Sequence, residues 1–90
     1  MREIKRTTQF KRDYKREKRS QHRTELDDIL YQVIEMLVKD DILPEYLHDH
    51  SLNNNWKGFR DCHVKPNLVL IYKKIETDIL ELTRLGSHSE

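Results

Sequence analysis

The stretch Phe59–Tyr72, FRDCHVKPNLVLIY, decides the fold. Two apolar-rich runs meet at Pro66-Asn67. Proline fixes φ and asparagine tolerates left-handed geometry, so this step reads as a turn between antiparallel strands. Leu68–Lys73 is apolar on both faces, which predicts a central strand covered on both sides. The run before the turn, Trp56–Val64, reads as its neighbour. Alternation along that strand sends Cys62 and His63 to opposite faces. Cys62 then suits a small buried position. His63 is either a hydrogen-bonded structural residue or a group aimed at a substrate.

Downstream, KKIETD turns the chain, and Ile79–Leu85 forms a last strand ending at Gly86. Upstream, PEYLHDHSLNNNWKG is loop material, with Tyr46, Leu47 and Leu52 available to pin it to the core. Before it lies the clearest element. Leu26, Ile29, Leu30, Val33, Ile34, Leu37 and Val38 recur at helical spacing. Thr24, with Asp27 three residues later, resembles a capping box, and Pro44 marks the stop. A first helix is predicted over Thr8–Arg19, capped by Thr7 or Thr8, with Phe10 and Tyr14 on one face. Ser20–Arg23 reads as a break, and REIKR around Ile4 as a short edge strand. Helices first and strands after predict an α+β domain: two N-terminal helices packed on one face of a small, mainly antiparallel sheet.

The 90 residues form a single domain, 1–90, with room for one sheet and two or three helices. Hydrophobic residues make up 36% and charged residues 37%. The apolar ones are strongly grouped, which argues against disorder. One cysteine excludes an internal disulfide and fits a reducing, cytoplasmic setting. The positive N-terminus has no apolar core behind it, so it is not a signal peptide, and no stretch approaches membrane-spanning length. The net charge of +1 hides an asymmetry: residues 1–25 hold ten Lys/Arg against four Asp/Glu, and residues 26–50 hold one against seven. Lys15, Arg16, Lys18 and Arg19 sit in the basic block, a candidate contact for phosphate backbones. The block reads also as a solvated helix face in which Asp13 and Glu17 sit among lysines.

Four of the five histidines follow the long helix. With the three strands neighbours in order, the strand end at His63, the turn at Asn67 and the tail beyond Leu85 share one sheet edge. His63, Asn67, Arg84 and His88 then converge, and the preceding loop carries His50 over them. Imidazole takes or gives a proton near neutral pH. Arg84 offers a rigid fork of donors to a phosphate. Two histidines flanking a phosphodiester suffice for RNA cleavage without a metal. One removes the ribose 2′-OH proton, the other protonates the leaving 5′-oxygen, and the arginine stabilises the charge that develops. Blander readings stand beside this one. Trp56 either plugs the loop or stacks a base. Arg60, on Cys62's strand parity, is a surface cation or a flanking phosphate contact. Arg84 pairs with Glu81 or Asp61. The HDH run at 48–50 looks like a metal pair, but Cys62-His63 lacks ligand spacing and one cysteine builds no thiolate cluster, so no metal or other cofactor is expected.

The segments YLHDHSL, WKGFRDCHVKPNLVLIYK and LTRLGSHSE resemble the YafQ branch of the RelE-like toxins of bacterial type II toxin–antitoxin systems. The resemblance spans nearly the whole chain. It implies a RelE-like fold and a ribosome-dependent endoribonuclease, an mRNA interferase, held inactive by a cognate antitoxin. Operator DNA would be met only indirectly, through that antitoxin, and no membrane is involved. The implied catalytic set is His50, His63, Arg84 and His88. The implied RNA contacts are Asn67, Arg60, Lys65 and the Lys15, Arg16, Lys18, Arg19 block, the last facing ribosomal RNA. Asn67 departs from the family, which has an aspartate there, and a family aromatic beyond the last histidine has no counterpart before Glu90. Asparagine hydrogen-bonds but supplies no charge, so slower chemistry is expected. The alternative is a non-catalytic protein of the same fold that binds ribosome, RNA or antitoxin.

Overall fold

The sheet has five strands in the order β1-β5-β4-β3-β2. In chain order the elements are β1 (Glu3–Arg6), α1 (Thr8–Lys18), α2 (Leu26–Val38), β2 (His50–Ser51), β3 (Arg60–Lys65), β4 (Leu68–Ile75) and β5 (Ile79–Gly86). The structure is a computed structural model and describes residues 1–20 and 24–87. β1 runs parallel to β5, and every other pairing is antiparallel. The expected α+β arrangement is present, with the Pro66-Asn67 turn joining β3 to the central β4. Both helices pack on the sheet, α1 against β5 and α2 against β3 and β5. Phe10 and the α2 stripe of Leu26, Leu30, Val33 and Leu37 meet Cys62, Leu70, Tyr72, Leu80 and Leu85 in one core.

Several boundaries differ from the sequence reading. Thr7 caps α1 as expected: its Oγ1 accepts from the Phe10 N–H at 2.9 Å and donates to the Thr83 carbonyl at 2.8 Å. The capping box at Thr24 does not form. α2 begins at Leu26 with Glu25 at the cap and no side-chain cap bond. Asp27 is drawn away, accepting from the Tyr14 hydroxyl and from Lys18 Nζ at 2.8 Å, and so ties the two helices together. The helix ends well before Pro44. Asp40 adopts φ 58°, while the Asp40 and Asp41 N–H groups return to the Leu37 and Met36 carbonyls at 3.2 and 3.0 Å. That is a Schellman ending with aspartate in the glycine position.

The strand expected from Trp56 starts only at Arg60. Asn54–Trp56 forms a short 3₁₀ turn, and Gly58 at φ +93° turns the chain into β3. The preceding stretch is not wholly loop, since β2 pairs His50 with Asp61 and Ser51 with Arg60. Leu47 is buried and pins this segment, whereas Tyr46 is 72% exposed and does not. β4 is not roofed on both sides. Leu68, Leu70 and Tyr72 enter the core, while Val69 and Ile71 form the floor of an open groove.

A bulge in β5 completes that groove. Ile71 pairs with Arg84 but Tyr72 pairs with Leu82, leaving Thr83 as an extra residue. The extra residue reverses the alternation. Leu80, Leu82 and Leu85 are all buried, and Arg84 comes out beside Ile71 on the groove side.

Candidate active site

The face of the sheet opposite the helices carries a groove of about 320 Å³ lined by His50, Trp56, Asp61, Val69, Ile71, Arg84, Leu85, Gly86 and Ser87. Cross-strand register explains the set. Asp61, Ile71 and Arg84 lie opposite one another across β3, β4 and β5, and so share a face. β2 then sets His50 opposite Asp61.

His50 is held by its own loop. Its Nδ1 lies 2.8 Å from the His48 carbonyl oxygen, which fixes a proton on that nitrogen. Nε2 is left facing the groove, 3.1 Å from Asp61 Oδ1. That oxygen is buried and receives no hydrogen bond among the described residues. With the proton on Nδ1, Nε2 and Asp61 Oδ1 are both acceptors, so a hydrogen bond between them needs an added proton. The sequence reading named Asp61 only as a pairing partner for Arg84, whose Nε bonds instead to Asp13. The position of Asp61 two before His63 was the available signal, because residues i and i+2 share a strand face.

The loop that carries His50 is anchored from beneath by Asp49. Its carboxylate accepts from the Tyr72 hydroxyl and from Arg60, Nη2 at 2.9 Å and Nε at 3.3 Å. Tyr72 is buried, and burial first, then the Asp49 carboxylate, pushes its phenol pKa up. Arg60 follows Cys62's parity as expected and is committed to this clamp rather than to the groove.

Arg84 is fixed from the side. Its Nε donates to Asp13 Oδ2 at 2.9 Å, and its Nη nitrogens bond to none of the described residues. Asp13, read from sequence as a surface residue, has no exposed side-chain area. Burial pushes its carboxyl pKa up, but bonds from Arg84, the Leu85 N–H and Gln9 outweigh it and leave it below 3.8.

His63 does not line this groove. It sits in an adjoining cavity of about 610 Å³ with Tyr46, His48, His50, Val64, Lys65 and Pro66. Its ring meets that of His48 edge-on at 5.4 Å between centroids. His50 borders both spaces. Asn67 is exposed in its turn and lines neither. Lys65 Nζ is 3.5 Å from Glu25. In the basic block, Arg16 bonds to Asp13 and Glu17, Lys18 bonds to Asp27, and Lys15 and Arg19 are exposed. His88 lies outside the described residues.

A family model for the YafQ bacterial toxin of type II toxin–antitoxin systems matches residues 2–90. The chain belongs to the YafQ family. It is 35% identical over 89 residues to the mRNA interferase toxin YafQ of Escherichia coli B/BL21-DE3, covering 98% of this chain and 92% of that one. With the E. coli K12 mRNA interferase toxin YafQ the alignment is 45% identical over 47 residues, about half the length of either protein. YafQ in the crystal structure of the E. coli DinJ–YafQ toxin–antitoxin complex superposes with a TM-score of 0.80 at 34% identity, covering 98% and 93% of the two chains. Among the described residues of this YafQ-family chain, no helix is long and apolar enough to cross a membrane.

Proposed function

We propose that this YafQ-family chain is an endoribonuclease toxin that cuts mRNA on the ribosome, and that the groove between β2 and β5 is where the phosphodiester binds. The observation that carries the reading is the juxtaposition of a proton-transfer pair, His50 and Asp61, with the half-exposed guanidinium of Arg84 in one groove. The relatives named mRNA interferase support the substrate class. The toxin–antitoxin complex of a relative supports an antitoxin partner.

In this mechanism His50 Nε2 takes the proton of the ribose 2′-OH, and Asp61 stabilises the imidazolium. The 2′-oxygen attacks phosphorus while the Nη nitrogens of Arg84 hold the non-bridging oxygens, where negative charge accumulates. The leaving 5′-oxygen needs a proton from a second imidazole. His63, in the cavity that shares His50, and His88, next after groove-lining Ser87 in sequence, are the two candidates. Trp56 is 37% exposed at the rim, stacked edge-on with Phe59 at 5.3 Å, and presents an aromatic edge to a base. The strand breaks at the P–O5′ bond, leaving a 2′,3′-cyclic phosphate and a 5′-hydroxyl with no redox partner or added cofactor.

A reconstituted translation system tests this. The toxin should cut mRNA within codons on programmed ribosomes and leave 2′,3′-cyclic phosphate ends. Ribosome binding without cleavage would support instead the non-catalytic alternative of the same fold.

A further inference from the structure

We propose that Asp13 on α1 is the positioning residue for Arg84, so that a helix contributing nothing to the groove wall sets the geometry of phosphate binding. This rests on the reading that Arg84 holds the scissile phosphate.

The pairing of β1 with β5 stops at Arg6–Leu82. Beyond that point the outer edge of β5 lacks a strand, and side chains of the Thr7–Arg16 segment replace it. Thr7 Oγ1 donates to the Thr83 carbonyl at 2.8 Å. Asp13 Oδ2 accepts the Leu85 N–H at 3.0 Å, and Arg16 Nη2 donates to the Leu85 carbonyl at 2.7 Å. Both backbone groups of Leu85 are thus held by α1, next to groove-lining Gly86 and Ser87.

Asp13 does more than finish the edge. Its Oδ1 accepts from Gln9 Nε2 at 3.0 Å and Arg16 Nη1 at 2.9 Å, and its Oδ2 also accepts Arg84 Nε at 2.9 Å. Four donors fill the acceptor sites of one carboxylate. A fully satisfied, fully buried anion is a rigid anchor. The bulge at Thr83 delivers Arg84 to the groove side, and Asp13 then fixes the guanidinium plane through Nε. What remains for a ligand is the Nη pair, the edge that grips two oxygens of a phosphate. Glu81, the other partner the sequence offered for Arg84, accepts instead from the Thr83 hydroxyl at 3.0 Å. A free arginine would have to lose its side-chain freedom at each encounter; here that ordering is already done.

The test is single-turnover cleavage on programmed ribosomes with Arg84→Ala, Asp13→Asn and the double variant, each checked for folding by thermal melting. The expected result is a loss of about 10- to 100-fold in the cleavage step for Asp13→Asn, with ribosome affinity unchanged. In the Arg84→Ala background, Asp13→Asn should add no further loss. Asp13→Glu should recover part of the rate. Losses that multiply in the double variant would overturn the proposal, since Asp13 would then act independently of Arg84. If Arg84→Ala alone cleaves at the normal rate, the phosphate reading and this inference fall together. If Arg84→Ala is slow while folded Asp13→Asn is normal, only this inference falls. Should Asp13→Asn not fold, the wild-type protein still decides. The Arg84 Nε–H resonance should be rigid and slow to exchange, and a mobile, rapidly exchanging signal would refute the positioning role.

Discussion

Replacing Asp49 with alanine removes the anchor beneath the His50 loop, and its cost follows from what is left behind. Tyr72 is 1% exposed, so its hydroxyl loses a charged acceptor where water cannot easily take over. A buried hydroxyl left without its partner costs about 1–3 kcal/mol. Arg60 keeps 42% of its side-chain surface exposed and recovers solvent, so its part is about 0–1 kcal/mol. The total, about 1–4 kcal/mol, corresponds in a domain of this size to about 4–8 °C in Tm per kcal/mol. Tyr72→Phe keeps the ring in the core and leaves Asp49 paired with Arg60. In that background Asp49→Ala no longer orphans a hydroxyl and should cost under about 1 kcal/mol. Urea denaturation of the wild type, both single variants and the double variant gives the coupling. Equal costs in the two backgrounds, within the roughly 0.5 kcal/mol expected of independent sites, would refute the clamp.

Two further outcomes follow from charge and burial. Lys74 first, then Arg2, holds the Asp40 carboxyl down at about 2, and Asp13 also lies below its ordinary value. Groups depressed in the folded state contribute fully above the unfolded carboxylate pKa and lose that contribution as pH falls through the folded one. Stability should therefore drop between about pH 4 and pH 2, and Asp40→Asn or Asp13→Asn should each flatten that slope in acid melts. Burial pushes the Cys62 thiol up to about 12, so iodoacetamide should leave the native protein unlabelled at neutral pH and label it on unfolding in urea; equal rates in both states would contradict the burial.

The sequence made the β3–β4 hairpin, the central place of β4 and the α2 stripe legible, because each depends on local turn chemistry and hydrophobic period. Of the candidate residues it named, His50 and Arg84 line the groove, while His63 lies in the adjoining cavity. What it hid was tertiary. Asp27 looked like a capping partner for Thr24, but Tyr14 and Lys18 compete for it across the helix pair. Asp13 looked solvated because its neighbours are charged, yet the end of β1 at Arg6 leaves a β5 edge that needs an acceptor there. The Thr83 bulge leaves no residue signature, although it shifts the alternation so that Leu85 joins Leu82 in the core and Arg84 faces the groove. Asp61 acquires a role only once β2 exists, and two residues in a polar loop give no periodicity from which to read a strand.

The most direct measurement is single-turnover mRNA cleavage on the ribosome by folded His50→Ala. With Nε2 as the acceptor of the 2′-OH proton, the rate should fall by about 10²- to 10⁴-fold while ribosome binding persists. A folded His50→Ala that cleaves within twofold of the wild type would place the chemistry somewhere other than this groove.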